Sequence, residues 1–495
     1  MKKVFSVSLF ILAPLFLAAQ PVKGVIYADT TNILVVKVWG THQERGYALG
    51  YLTGDRITDI IENYIKPQFS VYYIMARNII IQANDLLVAP DYHTEAQAII
   101  DGMNAAGSNT ASLDKTDILV GNTFLDISNL LMMNSGENCS ALMSWNDATS
   151  GTDLDGKSVI SRHVDWLYSA VLNRNHAIIV HFPQEPDESK WLLVGFSGMM
   201  SSLSGFNPDF GAFQNMMNDF SGNGQHNAQY NPVWFALRDA IEAADYNGDG
   251  SRDVRDVRSA LAASSQGFAD GFIVSALARS NPVDSLVAMV AELASTVPLQ
   301  TYRYSNYPDS IPGDNLYTAN YQIARNNMMH FCTRYNGIRS HIGNGTNIGL
   351  DTNWNLMRDY SHLATNTQFM QYAPELDYFR VSVYRDGKPA YQNEPVVFNL
   401  NDLFDNPATG FEPHEMPRQV HCYPNPAGET ITYSISSARP VKVEIFDAAG
   451  TLTRDFPSYQ SGTSLNIAEL NAGLYFTRII SQEEILFVKF LKIAD

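Results

Sequence analysis

Residues 136–166 read GENCSALMSWNDATSGTDLDGKSVISRHVDW, and this stretch decides how the rest of the chain is interpreted. It contains Cys139, one of three cysteines among 495 residues, at a position far from either end. Arg162 and Asp165 follow within SVISRHVDW, a short run of alternating or apolar residues that predicts a β-strand. A thiol followed by a guanidinium and a carboxylate three residues apart makes these residues candidates for a reaction centre.

Three kinds of chemistry could use this cysteine. A papain-like pair needs a histidine, but no local signature of such an enzyme surrounds Cys139. The available histidines are His163, His176, His181 and His330. Catalytic zinc has no support, because the chain contains no CxxC or HExxH. In the third kind the chain is cut just before the cysteine, and the freed α-amine, which titrates near ~8, serves as the base.

In the third kind of chemistry both Arg162 and Asp165 have a role. Arg162 would favour the thiolate and lower the pKa of Cys139. Asp165 would hold the α-amine or α-ammonium in position. Strict alternation along a strand places Arg162 and Asp165 on opposite faces, so we expect a bend between them if both approach the nucleophile.

The regions on either side of this stretch differ in pattern. Before it, a glycine-punctuated segment at 40–54 precedes DRITDIIENYI, whose helical spacing predicts a helix capped by Asp55, with further helices over about 85–133. After it, HAIIVHF and KWLLVGFSG predict strands, helices are predicted between about 230 and 300, and strands return at 378–391. Asp386-Gly387 is a hairpin turn signal. Together these blocks predict an α+β or layered sandwich fold.

Composition bounds the compartment and the partners. Lys2 and Lys3 precede an apolar run that ends near Ala19, which is typical of a signal peptide over residues 1–19. No later segment is long and apolar enough to predict a transmembrane span. The net charge of −18 argues against nucleic acid and anionic membranes as partners. An odd number of cysteines excludes a disulfide framework as the main stabiliser, and Cys332 and Cys422 are interpreted as bystanders.

Residues 245–256, DYNGDGSRDVRD, have the spacing of a twelve-residue calcium loop. Calcium prefers an all-oxygen ligand set, so we predict a structural Ca²⁺ here and no cofactor for catalysis. Gly250 stands where the loop must turn, while Asp at position 12 is shorter than the usual Glu. The predicted ligands are Asp245, Asn247, Asp249, Ser251 (through its carbonyl), Asp253 and Asp256.

Several motifs, in this order and spacing, resemble the N-terminal-nucleophile (Ntn) acyltransferases and amidohydrolases typified by acyl-coenzyme A:6-aminopenicillanic acid acyltransferase, also called isopenicillin N acyltransferase. They are GTHQERGYALG at 40–50, NCSALMSWNDAT at 138–149, SRHVDW at 161–166, GFNPDFGAFQNM at 205–216 and YFRVSVYRDGKPA at 378–390. The resemblance implies a four-layer αββα Ntn-hydrolase sandwich, with an N-terminal segment at 20–138 and a catalytic core at 139–403.

The same resemblance implies self-cleavage between Asn138 and Cys139, with Cys139 as the nucleophile and Arg162 and Asp165 as its partners. It places an oxyanion-hole asparagine at Asn207 and a second asparagine at Asn327 or its neighbour Asn326. Arg334 matches a later arginine of the family. Many relatives carry glycine before the cysteine, where this chain has Asn138.

The C-terminal region predicts a separate module. Residues 404–420 contain three prolines and few aliphatic residues, which is typical of a linker. Residues 421–495 contain short β-patterned runs that predict a small antiparallel β-sandwich. CYPNPAGE, VKVEIFDAAG and LNIAELNAGLYFTRI resemble the C-terminal sorting domain of bacterial type IX secretion. This resemblance implies passage through the periplasm and across the outer membrane, with the type IX secretion machinery as a partner.

The sequence therefore supports a secreted, self-processing hydrolase that cleaves a linear amide, peptide or not, through an acyl-enzyme on Cys139. Two alternatives within the same chemistry are an acyltransferase and a phospholipase B-like or ceramidase-like hydrolase of lipid acyl groups. The expected partner is accordingly a small acyl-amide or lipid-like substrate. A further alternative, from another class, is a non-catalytic surface binding protein that calcium stabilises.

Overall fold

The computed structural model describes residues 20–30, 32–133, 138–216, 224–280, 286–309, 311–325, 332–407, 421–423, 425–434, 440–448, 451–480 and 485–493. The chain divides into two compact units, Met1–Asn406 and Pro407–Asp495. The division falls inside the segment that the sequence predicts as a linker. The predicted signal peptide lies outside the described residues, as does most of the linker.

The first unit mixes helices and sheets, so the α+β class predicted from the sequence is correct. Its helices, numbered in chain order, are α1 His42–Ile60, α2 Lys66–Phe69, α3 Tyr73–Gln82, α4 Pro90–Ala106, α5 Lys115–Asn122, α6 Phe124–Leu130, α7 Ala170–Asn173, α8 Val233–Glu242, α9 Val254–Ala262, α10 Thr333–His341, α11 Leu350–Tyr360 and α12 Leu400–Leu403. A π-helical turn, Ile61–Ile65, continues α1.

Within the described residues, nine strands form one sheet and six form another. The nine-stranded sheet runs β1 Gly24–Thr30, β2 Ile33–Gly40, β5 His176–Pro183, β6 Trp191–Phe196, β7 Ser204–Phe206, β8 Phe210–Met216, β9 Phe272–Ala278, β10 Ala288–Leu293 and β11 Gln300–Arg303. The six-stranded sheet runs β12 Asn315–Thr318, β3 Asn138–Ser144, β4 Val159–Asp165, β13 Asn366–Ala373, β14 Tyr378–Val383 and β15 Val396–Asn399. Strands β2 and β5 are parallel, and the other pairs in these sheets are antiparallel.

Side chains of β4 show which layers cover the six-stranded sheet. Arg162 donates to the hydroxyl of Ser204 in β7, so it points towards the nine-stranded sheet. His163, the next residue, forms a hydrogen bond with the carbonyl of Met357 in α11. One face of β4 therefore contacts the other sheet, and the opposite face contacts a helix.

Side chains of β8 show the same arrangement for the nine-stranded sheet. The side-chain oxygen of Gln214 accepts a hydrogen bond from Trp234 of α8. Asn215, the next residue, donates to the hydroxyl of Thr318 in β12. Since successive side chains point to opposite faces of a strand, the two sheets pack against each other with helices on their outer faces.

Helix α1 begins earlier than predicted. The Thr41 hydroxyl accepts from the Glu44 N–H and the Glu44 carboxylate accepts from the Thr41 N–H, which makes a capping box. The predicted cap at Asp55 is wrong, because that residue lies inside α1.

The glycines that resembled loop markers are packing residues of this helix. A Cβ on Gly46 would lie 2.4 Å from the Glu95 carbonyl oxygen of α4, and one on Gly50 would lie 1.9 Å from that of Ile99. Close contact between α1 and α4 therefore requires glycine at these positions.

Between residues 230 and 300 the prediction is correct only for the first half. Helices α8 and α9 are present, but β9 and β10 occupy positions predicted to be helical. Both strands are buried on both faces, so they lack the alternation that marks a half-buried strand. The predicted turn at Asp386-Gly387 is present: both residues have positive φ, and Arg385 forms a β-bridge with Lys388.

The second unit contains two antiparallel sheets, as predicted. One holds β16 His421–Tyr423, β17 Thr430–Ser434 and β20 Ser464–Asn466, and the other holds β19 Leu452–Tyr459, β18 Val441–Asp447, β21 Gly473–Ile480 and β22 Ile485–Lys492. They enclose an apolar core that includes Ile431, Val443 and Phe490. In the described part of the chain, no helix has the length and apolar character that crossing a membrane requires.

Candidate functional site

Cys139 is the second residue of β3, and its position in the sheet sets its surroundings. Strand β3 runs antiparallel to β4, so that Cys139 lies opposite Val164 and Asn138 lies opposite Asp165. The cysteine is fully buried. The Asn138–Cys139 peptide bond therefore lies beside the end of β4 that carries Asp165.

Arg162 contacts the thiol. Its Nη2 lies 3.6 Å from the Cys139 Sγ and also donates to the carbonyl of Gln214, while its Nη1 donates to the Ser204 hydroxyl at 2.7 Å. Arg162 is fully buried, so these contacts hold the guanidinium against the sulfur. A positive charge at this distance favours the thiolate over the thiol.

A second group of residues holds the backbone of the cysteine. The side-chain oxygen of Asn320 accepts a hydrogen bond from the Cys139 N–H at 3.2 Å. Arg334, in α10, donates to that same oxygen, to the Cys139 carbonyl at 3.2 Å and to the Asp165 carboxylate at 3.0 Å. Asn366 donates to the other oxygen of Asp165 at 3.0 Å. Asp165 is thus linked to both backbone groups of Cys139 through Arg334.

The carboxyl group of Asp165 titrates near neutrality. Burial raises its pKa to about 7, against the opposing effects of Arg334, Asn366 and Arg162. An acid with this pKa can exchange a proton with a neighbouring amine near neutral pH.

Arg162 and Asp165 approach the cysteine from opposite faces of the sheet. Arg162 reaches the sulfur on the face that packs against the other sheet, and Asp165 meets Arg334 of α10 on the outer face. The expected bend between them is therefore unnecessary. The alternation of β4 is what brings one residue to the thiol and the other to the backbone.

Asn207 lies apart from this group. Its side-chain oxygen accepts from the N–H groups of Asp209 and Phe210, and its side-chain nitrogen donates to the Ile241 carbonyl at 3.0 Å. These bonds occupy it in the turn between β7 and β8.

The register also separates Asn207 from the thiol. Tyr372 donates a hydrogen bond to the backbone carbonyl of Asn207. In the six-stranded sheet Tyr372 lies opposite Ile160, and Ile160 lies opposite Met143. Met143 is four residues from Cys139 along β3, or about 13 Å. The structure does not bring Asn207 to the thiol, and Asn326 and Asn327 lie outside the described residues.

His163 does not serve as the base in this arrangement. His163 is buried and stacks on Phe369 with 4.1 Å between ring centroids. Burial lowers the pKa of His163 to about 3, so the ring is neutral and fixed in the core. This matches the interpretation of His163 as a packing residue.

Asn320 is the main residue that sequence reasoning missed. It follows β12 and lies 181 positions from Cys139 along the chain. Arg334 lies 195 positions from Cys139. A pattern search around the cysteine cannot find such residues. The one local signal is that Asn320 stands two residues beyond the end of the strand that pairs with β3.

The calcium-like loop is compact and capped. Asp256, at position 12, is buried and accepts hydrogen bonds from the N–H groups of Tyr246, Asn247 and Asp253. Gly250 has a φ of 83°, as expected where the loop turns. The loop ends in α9, whose N-cap is Asp253.

The loop acids also have hydrogen bonds within the loop. The Asp245 carboxylate accepts from the N–H groups of Gly248 and Gly250, and that of Asp249 accepts from Ser251. Burial raises the pKa of Asp256, as does the nearby charge of Asp245. These hydrogen bonds engage the carboxylate oxygens of Asp245, Asp249 and Asp256 with backbone N–H groups of the loop.

A second group of possible metal ligands is explained by ion pairs. Ligand atoms of His42, Glu188 and Glu242 lie within 4.8 Å of one another. Arg45 already binds both carboxylates, at 2.9 Å each. Burial lowers the pKa of His42, but hydrogen bonds to Glu188 and Glu95 outweigh this and raise it to about 10. These ion pairs make the group a buried ionic network that includes residues of α1 and α8.

Two comparisons with known proteins bear on this chain. Protein dcd1B of Dictyostelium discoideum is 24% identical to it over 249 residues, which are 46% of this chain and 47% of that protein. The chain thus spans about half the length of this curated relative.

The second comparison concerns the C-terminal unit. Residues 421–493 match the family model described as a secretion system C-terminal sorting domain. Such a domain implies recognition by the type IX secretion machinery. Residues 421–493 therefore form a C-terminal sorting domain, and the protein is exported across the outer membrane to the cell surface or the medium.

Proposed function

We propose that this exported protein is a self-processing cysteine hydrolase of the N-terminal-nucleophile class that cleaves a linear amide bond. The packing of two sheets between outer helices supports a four-layer αββα sandwich of that class for the first unit. The observation that carries the proposal is that different residues contact the thiol of Cys139 and its backbone. Its thiol contacts Arg162, and its backbone is held by Asn320 and Arg334.

Self-cleavage begins at the thiol. The Cys139 Sγ attacks the carbonyl carbon of Asn138 as the thiolate that Arg162 favours, its proton having passed to solvent. A C–S bond forms, the C–N bond breaks, and the released nitrogen takes a proton. Water then cleaves this thioester and leaves a carboxylate on Asn138 and a free thiol on Cys139. Asp165 lies opposite Asn138 and titrates near neutrality, so it can supply the proton that the nitrogen takes.

The free α-amine then serves as the base for the substrate reaction. Asn320, which accepts from the N–H in the uncut chain, would hold the amine in place. The amine takes the thiol proton while the sulfur attacks the amide carbonyl. The leaving amine takes that proton, and water resolves the acyl-enzyme. Arg162 stabilises the thiolate throughout.

Hydrolysis is preferred over acyl transfer because acyl-coenzyme A is scarce outside the cytoplasm. The test is to incubate the purified protein with a panel of acyl-amides and lysophospholipids and to measure the intact mass during turnover. The proposal expects an acyl adduct on the fragment that begins with Cys139, and no adduct on Cys139→Ala. An unreactive thiol and an uncut chain would favour the non-catalytic binding protein instead.

We further propose that the loop at 245–256 holds a structural calcium ion. Its donor set consists of oxygens, which suit this cation, and the exterior of a cell supplies calcium at high concentration. Asp245, Asn247 and Asp249 would contribute side-chain oxygens, Ser251 its carbonyl, and Asp253 and Asp256 the remaining contacts. The ion would tie the start of α9 to the loop that follows α8 and would take no part in the chemistry.

A further inference from the structure

Helix α3 and the turn before it carry a row of apolar side chains that face solvent. The exposed fractions of these side chains are 81% for Val71, 72% for Ile74, 50% for Met75 and 61% for Ile81. Their spacing places them along one face of the helix. The opposite face is buried in the core of the first unit through Ala76, Ile79 and Ile80. A helix that is apolar on both sides is normally covered on both sides, so the exposed row calls for a partner.

A groove adjoins this row and gives the surface its shape. Met75 and Asn78 of α3 line the groove together with Leu131 and His226, and its volume is about 220 Å³. Met132, which follows Leu131, is itself 74% exposed. The row therefore forms an apolar ridge with a groove beside it, and such a surface packs well against the ridge of a second helix.

The exposed apolar area is large enough to form most of a stable interface. Val71, Ile74, Met75, Ile81 and Met132 together expose roughly 600 Å², which is the upper end of the range for the largest apolar patch on a monomeric protein. A standard protein–protein interface buries about 800 Å² on each partner. The polar residues around the ridge would supply the rest of that area.

The ridge is symmetric about Asn78, which is exposed and lies at its middle. Met75 and Ile81 are each three positions from Asn78, and Ile74 and Gln82 are each four positions away. If two copies of α3 pack antiparallel across a twofold axis at Asn78, Met75 of each copy faces Ile81 of the other. The two Asn78 amides can then exchange a pair of hydrogen bonds. A surface with this symmetry is complementary to itself, as an isologous interface requires.

Charge argues against a lipid surface as the occupant. Helices that lie on membranes present Lys and Arg to anionic lipids. Arg77 of α3 instead binds Asp114 and Asp117, and Lys66, shortly before the helix, binds Glu62. The net charge of −18 also opposes an anionic surface. The same charge makes two copies of the chain repel each other, so salt should strengthen their association by screening this repulsion.

We propose that the exposed face of α3 binds the same face of a second copy of this chain and forms a twofold-symmetric dimer centred on Asn78. The apolar ridge supplies the contact area, and the central asparagine fixes the register of the two helices. This interface is independent of the chemistry at Cys139.

Sedimentation equilibrium of the purified full-length protein measures the association, and the wild-type protein should form a dimer. Asn78→Glu and Asn78→Lys each bring two like charges together at the axis, so each should raise the Kd of the dimer at least about a hundredfold. An equimolar mixture of these two variants brings opposite charges together and should restore the dimer. Val397→Glu, at an exposed apolar position of β15, is the matched control and should leave the Kd unchanged. Thermal unfolding verifies that each variant is folded.

Three results would overturn the proposal. The first is a wild-type protein that stays monomeric throughout the concentration series. The second is a dimer that Asn78→Glu does not weaken, or one that the mixture of the two charged variants fails to restore. The third is a monomeric protein that floats with phosphatidylcholine vesicles and loses this binding in Ile74→Glu, because the exposed face of α3 would then dock on lipid.

Discussion

Asp165 lies directly opposite Asn138 in the antiparallel pair of β3 and β4. This register places a buried carboxyl group beside the peptide bond that precedes Cys139, while Arg162 reaches the sulfur from the other face of the sheet. One strand thus carries both the cation that contacts the thiol and the acid that lies opposite Asn138.

Replacing Arg334 by methionine should strongly destabilise the fold. At pH 9, where Asp165 with its pKa of about 7 is ionised in the wild-type protein, the substitution leaves this buried carboxylate without its cation, and breaking a buried ion pair from one side costs about 3–5 kcal/mol. Urea denaturation measures the loss in the free energy of unfolding. It is carried out in a Cys139→Ala background so that all molecules are uncut. Arg358→Met removes an exposed pair with Asp359 and should cost less than about 1 kcal/mol. Equal losses for the two variants would show that Arg334 does not balance a buried charge.

Asp126 should make stability depend on pH. Burial raises its pKa to about 8 in the folded protein, against about 4 in an unfolded chain. Between these values the folded state binds a proton that the unfolded state releases, so the free energy of unfolding falls as pH rises, by about 1.4 kcal/mol per pH unit. Asp126→Asn should reduce the slope of stability between pH 4 and pH 8, and Asp101→Asn, at an exposed position, should not. An unchanged slope for Asp126→Asn refutes the prediction.

The glycine contact between α1 and α4 should not tolerate a methyl group. In Gly50→Ala the new Cβ meets the Ile99 carbonyl oxygen at 1.9 Å, and overpacking of this kind costs about 1–3 kcal/mol. Gly121→Ala is the control, since its nearest contact is the flexible end of Ile61 at 3.2 Å. Helix propensity alone would stabilise either variant by up to about 1 kcal/mol. Thermal unfolding should therefore show a lower Tm for Gly50→Ala than for Gly121→Ala, and the reverse order would contradict the packing.

Calcium should stabilise the first unit through the loop at 245–256. Ligand binding to the folded state adds about 2.7 kcal/mol at one hundred times the Kd. The expected result is a Tm that rises with added Ca²⁺, returns with chelator and does not respond in Asp245→Asn. Magnesium at the same concentration is the control, because it prefers a smaller octahedral site. If added Ca²⁺ leaves the Tm of the wild-type protein unchanged, the proposed calcium site is contradicted.

Local pattern predicted much of the fold where burial is one-sided or strands are short and bounded. Strands β4, β5 and β6 and the two sheets of the C-terminal unit follow the predicted runs. The prediction failed where tertiary packing overrides local signals. The glycines of α1 serve close helix contact. Strands β9 and β10 are buried on both faces, as β4 to β6 are, but they are also rich in alanine and contain leucine, which favour helices.

The candidate site divides in the same way. Arg162 and Asp165 were found because they share a strand that pairs with the cysteine strand. Arg334 is among the residues that the resemblance names, whereas Asn320 comes to Cys139 only through the pairing of β12 with β3, which a local motif does not encode. The motif that predicts Asn207 as an oxyanion-hole residue forms the turn between β7 and β8 in the structure.

The most direct measurement is the intact mass and N-terminal sequence of the purified protein beside its Cys139→Ala variant. The account predicts two fragments in the wild-type protein, the second beginning with Cys139, and a variant that stays whole. Asp165→Asn, which keeps the size of the side chain but removes its acid, should slow the appearance of the second fragment. A wild-type chain that stays uncut at the Asn138–Cys139 bond while its thiol is reactive would contradict the account.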